Sequence, residues 1–236
     1  MNRLEAFATV SAPGQPLEMI DVDAYGRSCR DYKHAPQSLR DLYQQNLSDK
    51  TFVVFEKERY SFLDIWESAS SLGAGLMTDY SIQKGDRVAI CLRNYPEWII
   101  AFEAVTSVGA IVVAMNSLWQ ADEIQYGLRD SVCTMLIADQ ERCDLLAKAN
   151  LERSYPTLVV RGDSDSTLAR WEDLQQRHTG ASMPEIPISA MDDVIILYTS
   201  GSTGRPKGVV SSNRAVISAL LSWEIAIYTW LLTRGF

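Results

Sequence analysis

The stretch Tyr198–Gly208 reads YTSGSTGRPKG. It brings together the hydroxyls of Thr199, Ser200, Ser202 and Thr203, the glycines Gly201, Gly204 and Gly208, and the cation of Lys207. Glycines let backbone N–H groups approach a ligand with no side chain in the way. Hydroxyls add rotatable donors, and lysine adds a compact point charge. Such a set suits a polyphosphate, which offers many acceptor oxygens and excess negative charge. The spacing departs from GxxxxGK[ST], because Pro206 stands five residues after Gly201, where the second glycine belongs. It also departs from GxGxxG, because Thr203 stands two residues after Gly201. A Ser/Gly linker shares the composition, but linkers are rarely pressed between apolar runs such as Val194–Leu197 and Gly208–Val210.

Few other residues compete for chemistry. Glu97, Asp122 and Glu123 fall at predicted helix starts, where a carboxylate favours the helix dipole, and capping is the expected role. The six tryptophans lack interleaved Lys or Arg and are expected to pack rather than stack on bases. His178 is expected to be a solvated loop residue, and Arg205 to point to solvent. Cys29, Cys91, Cys133 and Cys143 form no CxxC pair and have only His34 and His178 for company. Neither a zinc site nor a disulfide framework is expected, and the cysteines read as buried thiols in a reducing cytoplasm. A net charge of −8 and a pI near 4.8 exclude a broad duplex-binding surface.

The loop needs a frame to hold it, and the hydrophobic pattern supplies one. Short apolar runs at GDRVAICL, AIVVAM, CTMLIAD and TLVV alternate with helical patterns: Trp98, Ala101, Phe102 and Val105, then QADEIQYGLRD, then QERCDLLAKAN. This βαβ rhythm predicts an α/β fold, a parallel sheet with helices on both faces. Ahead of it, Ser38 opens a helix, TFVVF and ERYSF form a hairpin, and Ser61 with Asp64 makes a capping box for a helix running to Met77. Residues 1–37 are expected to be irregular, 38–160 a first α/β subdomain, 161–192 a connection leaving the first sheet with one short helix from Trp171 to Arg177, and 193–236 the start of a second α/β subdomain. Asn213 is expected to cap the last helix. That helix, Ala215–Leu232, is apolar enough to be weighed as a membrane segment, but burial against a sheet explains it better. The N-terminus carries Glu5 and lacks a continuous apolar core, so it is not expected to be a secretory signal.

YTSGSTGRPKGVV resembles the signature phosphate loop of the AMP-forming, adenylate-forming ligases, which include acyl-CoA synthetases, luciferases and peptide-synthetase adenylation domains. GDRVAICLRN and the segment from Ala101 to Asp139 resemble the strands and helices upstream of that loop, and MNSLWQADEIQYGL is most similar to fatty-acyl-CoA and related ligases. The resemblance covers roughly residues 38–225. It departs at Asn213, where members of the family often carry histidine.

The resemblance implies an ATP-dependent carboxylate–CoA ligase. A carboxylic acid, by this likeness a fatty acid, attacks the α-phosphorus of ATP, Mg²⁺-pyrophosphate leaves, and coenzyme A takes the acyl group. It assigns Thr199, Ser200, Gly201, Ser202, Thr203, Gly204 and Lys207 to the β- and γ-phosphates of ATP, and it assigns no catalytic residue and no metal ligand to this chain. The family's Mg²⁺-facing glutamate, its hinge and its late lysine have no counterpart after Gly208. An N-terminal portion of such a ligase is therefore expected, or else a catalytically inactive nucleotide-binding or partner module. Without later strands the C-terminal helix would stay uncovered, which favours aggregation or membrane association.

Overall fold

In the computed structural model, residues 1–24, 26–149, 155–163, 167–199 and 205–235 are described. The apolar runs are too short for helices and too apolar for one-sided burial, and they become the central strands of a sheet covered on both faces. In chain order the elements are α1 (Arg3–Val10), β1 (Met19–Ala24), β2 (Arg27–Tyr32), α2 (Leu39–Gln45), β3 (Thr51–Phe55), β4 (Glu58–Ser61) and α3 (Phe62–Thr78). There follow β5 (Arg87–Cys91), α4 (Pro96–Ser107), β6 (Ile111–Ala114), α5 (Ala121–Asp130), β7 (Met135–Asp139), α6 (Gln140–Lys148) and β8 (Thr157–Val160). The chain continues through β9 (Ala169–Arg170), α7 (Trp171–Arg177), β10 (Asp193–Thr199), β11 (Lys207–Ser212) and α8 (Asn213–Thr233).

The sheet order is β11-β10-β6-β5-β7-β8-β9. All neighbours run parallel except β11, which pairs antiparallel with β10. Strand residues alternate between two cores, as a period of two requires. Val88, Ile90, Val112, Ile137 and Leu158 face a core shared with residues of α3, α4 and α7, among them Leu72, Val105 and Leu174. Ala89, Val113, Leu136 and Val159 face a second core with Ile124 and Leu128 of α5 and Cys143 and Leu146 of α6. The expected parallel sheet with helices on both faces is present.

Three expectations about the flanks are corrected. The N-terminal segment is ordered: Asn2 and Glu5 form a reciprocal capping box on α1, and β1 and β2 form an antiparallel hairpin. These short elements acquire their burial from α8, where Leu17, Tyr32 and Ile225 form a small core. The segment after β8 does not leave the sheet, because β9 pairs with β8 and β10 returns to pair in parallel with β6. β10 therefore extends the first sheet instead of starting a second. Lastly, α8 is buried against the sheet only in part, through Ile217 near its start, and most of the helix is uncovered. It buries Asn213, Ile217, Ile225 and Thr229, and leaves Trp223 75% and Trp230 55% exposed. Among the described residues it is the one helix long and apolar enough to cross a membrane by length and composition.

Candidate phosphate-binding site

The direction in which the sheet is wound reverses at β5, since β6 lies on one side of it and β7 on the other. Sheets wound this way offer ligands a crevice outside the carboxyl ends of the strands. β10 runs parallel to β6, so the loop that leaves β10 at Thr199 opens on that same edge. One buried cation ties the neighbouring loops together there. Arg142, 4% exposed, meets Asp139 at 3.0 Å and donates from Nε to the Ser117 carbonyl, while Asp139 accepts from the Arg93 backbone N–H at 3.0 Å. The loops after β5, β6 and β7 thus share one hydrogen-bonded node, which the sequence reading missed. A helical arginine three residues after an aspartate looks like a surface pair until the fold closes over it.

The base of the glycine loop is a strand pair. Thr199 faces Lys207 in register, and the Thr199 hydroxyl lies 3.5 Å from the Lys207 carbonyl. Both residues are exposed. Gly208 faces Tyr198, and a Cβ at Gly208 would sit 3.0 Å from a methyl of Ile196, so a larger residue there would press on that side chain. Of the residues assigned to phosphate from sequence, the structure therefore brings Thr199 and Lys207 together. Ser200, Gly201, Ser202, Thr203 and Gly204 lie outside the described residues.

Both limbs of the loop rest on α5. The Tyr198 hydroxyl donates to Asp130 Oδ2 at 2.8 Å and lies 3.2 Å from the Gly127 carbonyl. Burial and the neighbouring Asp130 carboxylate hold the Tyr198 phenol well above its usual range, so it remains a donor. On the other limb the Tyr126 hydroxyl donates to the Pro206 carbonyl at 3.2 Å. Arg205 is exposed, as expected, and its guanidinium also lies over the Tyr126 ring, 5.3 Å from the centroid. An open cleft of about 840 Å³ lies beside this contact, lined in part by Gln120, Tyr126, Arg129 and Arg205.

The remaining sequence expectations divide. Glu123 caps α5 reciprocally with Gln120. Glu97 in the first turn of α4 instead pairs with Arg161 at 2.9 Å. Trp171 is buried, whereas Trp223 and Trp230 are exposed. Cys91 and Cys143 are buried, but Cys29 is exposed. His178 is not free in solvent, since its Nε2 lies 3.1 Å from Asp79 Oδ1. Burial opposes ionisation of Asp79, but Arg177 and His178 hold its pKa down at about 2. Ser212, not Asn213, caps α8 by accepting from the Ala215 N–H. Asn213 is buried one position later, where its Oδ1 accepts from the Leu39 N–H at 2.9 Å and its Nδ2 donates to Asp192 O at 3.3 Å. Among the described residues no group of three or more His, Cys, Asp or Glu could hold a metal ion.

The sequence matches the family described as AMP-binding enzyme over residues 41–234, and the chain belongs to that family. It is 30% identical over 177 residues to 2-succinylbenzoate–CoA ligase of Bacillus velezensis, which covers 73% of this chain and 33% of the relative. It is 29% identical over 207 residues to crotonobetaine/carnitine–CoA ligase of Salmonella typhimurium, covering 81% of this chain and 40% of the relative. Among solved structures it is similar to a putative long-chain-fatty-acid CoA ligase from Rhodopseudomonas palustris, with a TM-score of 0.71 and 28% identity over 82% of this chain and 48% of that one. The chain spans about a third to two fifths of the length of the curated relatives it matches.

Proposed function

We propose that the chain supplies the ATP-gripping part of an AMP-forming carboxylate–CoA ligase. The observation that carries this reading is the hairpin base at Thr199 and Lys207, which places a hydroxyl and an exposed cation at the carboxyl edge of the sheet in a chain of the AMP-binding family. In the proposed reaction a carboxylate oxygen forms a bond to the α-phosphorus of ATP, and the bond from that phosphorus to the pyrophosphate oxygen breaks. Negative charge then develops on the leaving pyrophosphate. Thr199, Ser200, Gly201, Ser202, Thr203, Gly204 and Lys207 are assigned to meet that charge. Donors fixed in place before the reaction stabilise it without reorganisation, and phosphoryl and adenylyl transfers depend mainly on positioning and charge neutralisation.

The acid is proposed to be a fatty acid, supported by the MNSLWQADEIQYGL segment and by the Rhodopseudomonas palustris neighbour. Coenzyme A is the proposed acceptor. Mg²⁺ enters the proposal as the companion of pyrophosphate and not as a group held by the described side chains, which offer no cluster for it.

A second reading, a nucleotide-binding or partner module with no complete reaction of its own, is favoured by the exposed apolar face of α8. ATP–pyrophosphate exchange with a panel of carboxylates separates the two. Isotope exchange dependent on one acid supports the ligase reading for the 236 residues alone. Saturable ATP binding with no exchange supports the module, and absence of both sinks the phosphate assignment.

A further inference from the structure

We infer that Tyr126 is a positioning residue for the phosphate loop, a latch on α5 that sets the limb carrying Lys207. The inference rests on the proposed phosphate site and adds to it a residue outside the glycine-rich motif, 81 positions before Lys207 (207 − 126).

The two limbs of the loop are held from one short surface of α5. The entry limb is held by the Tyr198 hydroxyl on Asp130, beside the Gly127 carbonyl. The exit limb is held by the Tyr126 hydroxyl on the Pro206 carbonyl and by the Arg205 guanidinium on the Tyr126 ring. Residues 126 and 130 are four apart and so share a face of the helix. The latches also touch each other: the Tyr126 and Tyr198 rings meet edge to face at 6.4 Å, and Trp119 meets Tyr198 at 5.5 Å. Gly127 permits this close assembly, because a Cβ there would lie 2.9 Å from the Trp119 ring.

Pro206 has no backbone N–H, so its carbonyl is the one main-chain group through which hydrogen bonding can fix it. Tyr126 donates to that carbonyl, and the next residue is Lys207. The same tyrosine occupies the Arg205 guanidinium through its ring. Its hydroxyl and its ring therefore fix the two residues that immediately precede Lys207. A donor held in place before ligand arrives loses less conformational freedom on binding, so the latch acts on affinity for the polyphosphate through Lys207 and touches no substrate itself.

Tyr126→Phe removes the hydroxyl and keeps the ring, whereas Tyr126→Leu removes both. The 236-residue chain and these variants, with Lys207→Ala alongside, are titrated with inorganic tripolyphosphate by calorimetry. Amide exchange at Lys207–Val209 and the urea midpoint are followed on the same samples. A neutral hydrogen bond corresponds to about threefold to tenfold in affinity. Tyr126→Phe is expected to raise Kd about threefold and Tyr126→Leu about tenfold, with faster exchange at Lys207–Val209 and unchanged exchange in β5. If Tyr126→Leu does not fold, the phenylalanine variant decides. Kd values within twofold of the unsubstituted chain, while Lys207→Ala loses binding, would overturn the latch and leave the phosphate site standing. A rise in Kd that merely tracks a fall in urea midpoint would reduce Tyr126 to a structural residue and overturn it as well. No tripolyphosphate binding by the unsubstituted chain would sink the site, and the latch with it.

Discussion

Lys207 stands at the start of β11, exposed and opposite Thr199. A charge-assisted hydrogen bond contributes about 1.5–3 kcal/mol, so Lys207→Ala is expected to weaken ATP binding about tenfold or more. Calorimetric titration checks the affinity, and an unchanged thermal midpoint shows that the exposed side chain does not hold the fold. Glu103 behaves in the opposite way. It is 7% exposed on α4, and burial pushes its pKa up to about 7 from an ordinary 4.5. The native state then keeps a proton that the unfolded chain releases near pH 4.5. Stability is undiminished below that pH, falls as pH rises towards 7, and stays lowered above it. Glu103→Gln is expected to flatten this dependence and to stabilise the chain by about 3 kcal/mol at pH 8, as measured by urea unfolding at pH 5 and pH 8. Residues whose partners are local were legible in the sequence, such as the Ser61–Asp64 capping box and the helix start at Ser38. Asn213 and His178 were not, because Leu39 and Asp79 lie 174 and 99 positions away.

The strands and helices that carry the loop follow from periodicity, and the central β5–β8 run was legible because each strand is apolar on both faces. β10 was read as a strand, yet its neighbour was not legible. An apolar run says that a strand is buried and does not say against which edge. The N-terminal hairpin was missed for a related reason: its pattern is mostly exposed, and what orders it lies on α8. Arg214 reaches Asp31 at 2.6 Å, Ser218 donates to the same carboxylate, and the Tyr32 and Ser222 hydroxyls lie 3.2 Å apart. Asp31→Ala leaves a partly buried guanidinium unpaired and is expected to destabilise the hairpin–helix contact by about 2–3 kcal/mol. Faster amide exchange confined to β1 and β2 is the check, and unchanged exchange there would show that apolar packing alone suffices. The outer face of α8, with Leu220, Trp223, Ile227 and Trp230 exposed, forms a larger apolar patch than single surface residues require. Trp223→Glu with Ile227→Lys is expected to lower self-association, read by light scattering, and to leave the urea midpoint unchanged because neither side chain is buried.

At the scale of the molecule, one sheet joins the two halves that the sequence reading had separated. β10 pairs with β6 through Ile195, Ile196 and Leu197, so the loop is anchored to the same layer that buries Val88, Val112 and Ile137. Exchange in β10 is expected to be slow, close to that of β5 and β6, while edge strand β11 exchanges faster. Fast exchange throughout β10 would mean that the phosphate loop hangs from an unstable edge. The central claim is that this sheet presents a polyphosphate grip at Thr199–Lys207. Calorimetric titration of the 236-residue chain with MgATP, beside Lys207→Ala, tests it most directly. The account predicts saturable one-to-one binding by the chain and a loss of about tenfold or more in the variant. Equal affinity in the two proteins, or no binding by either, would contradict it.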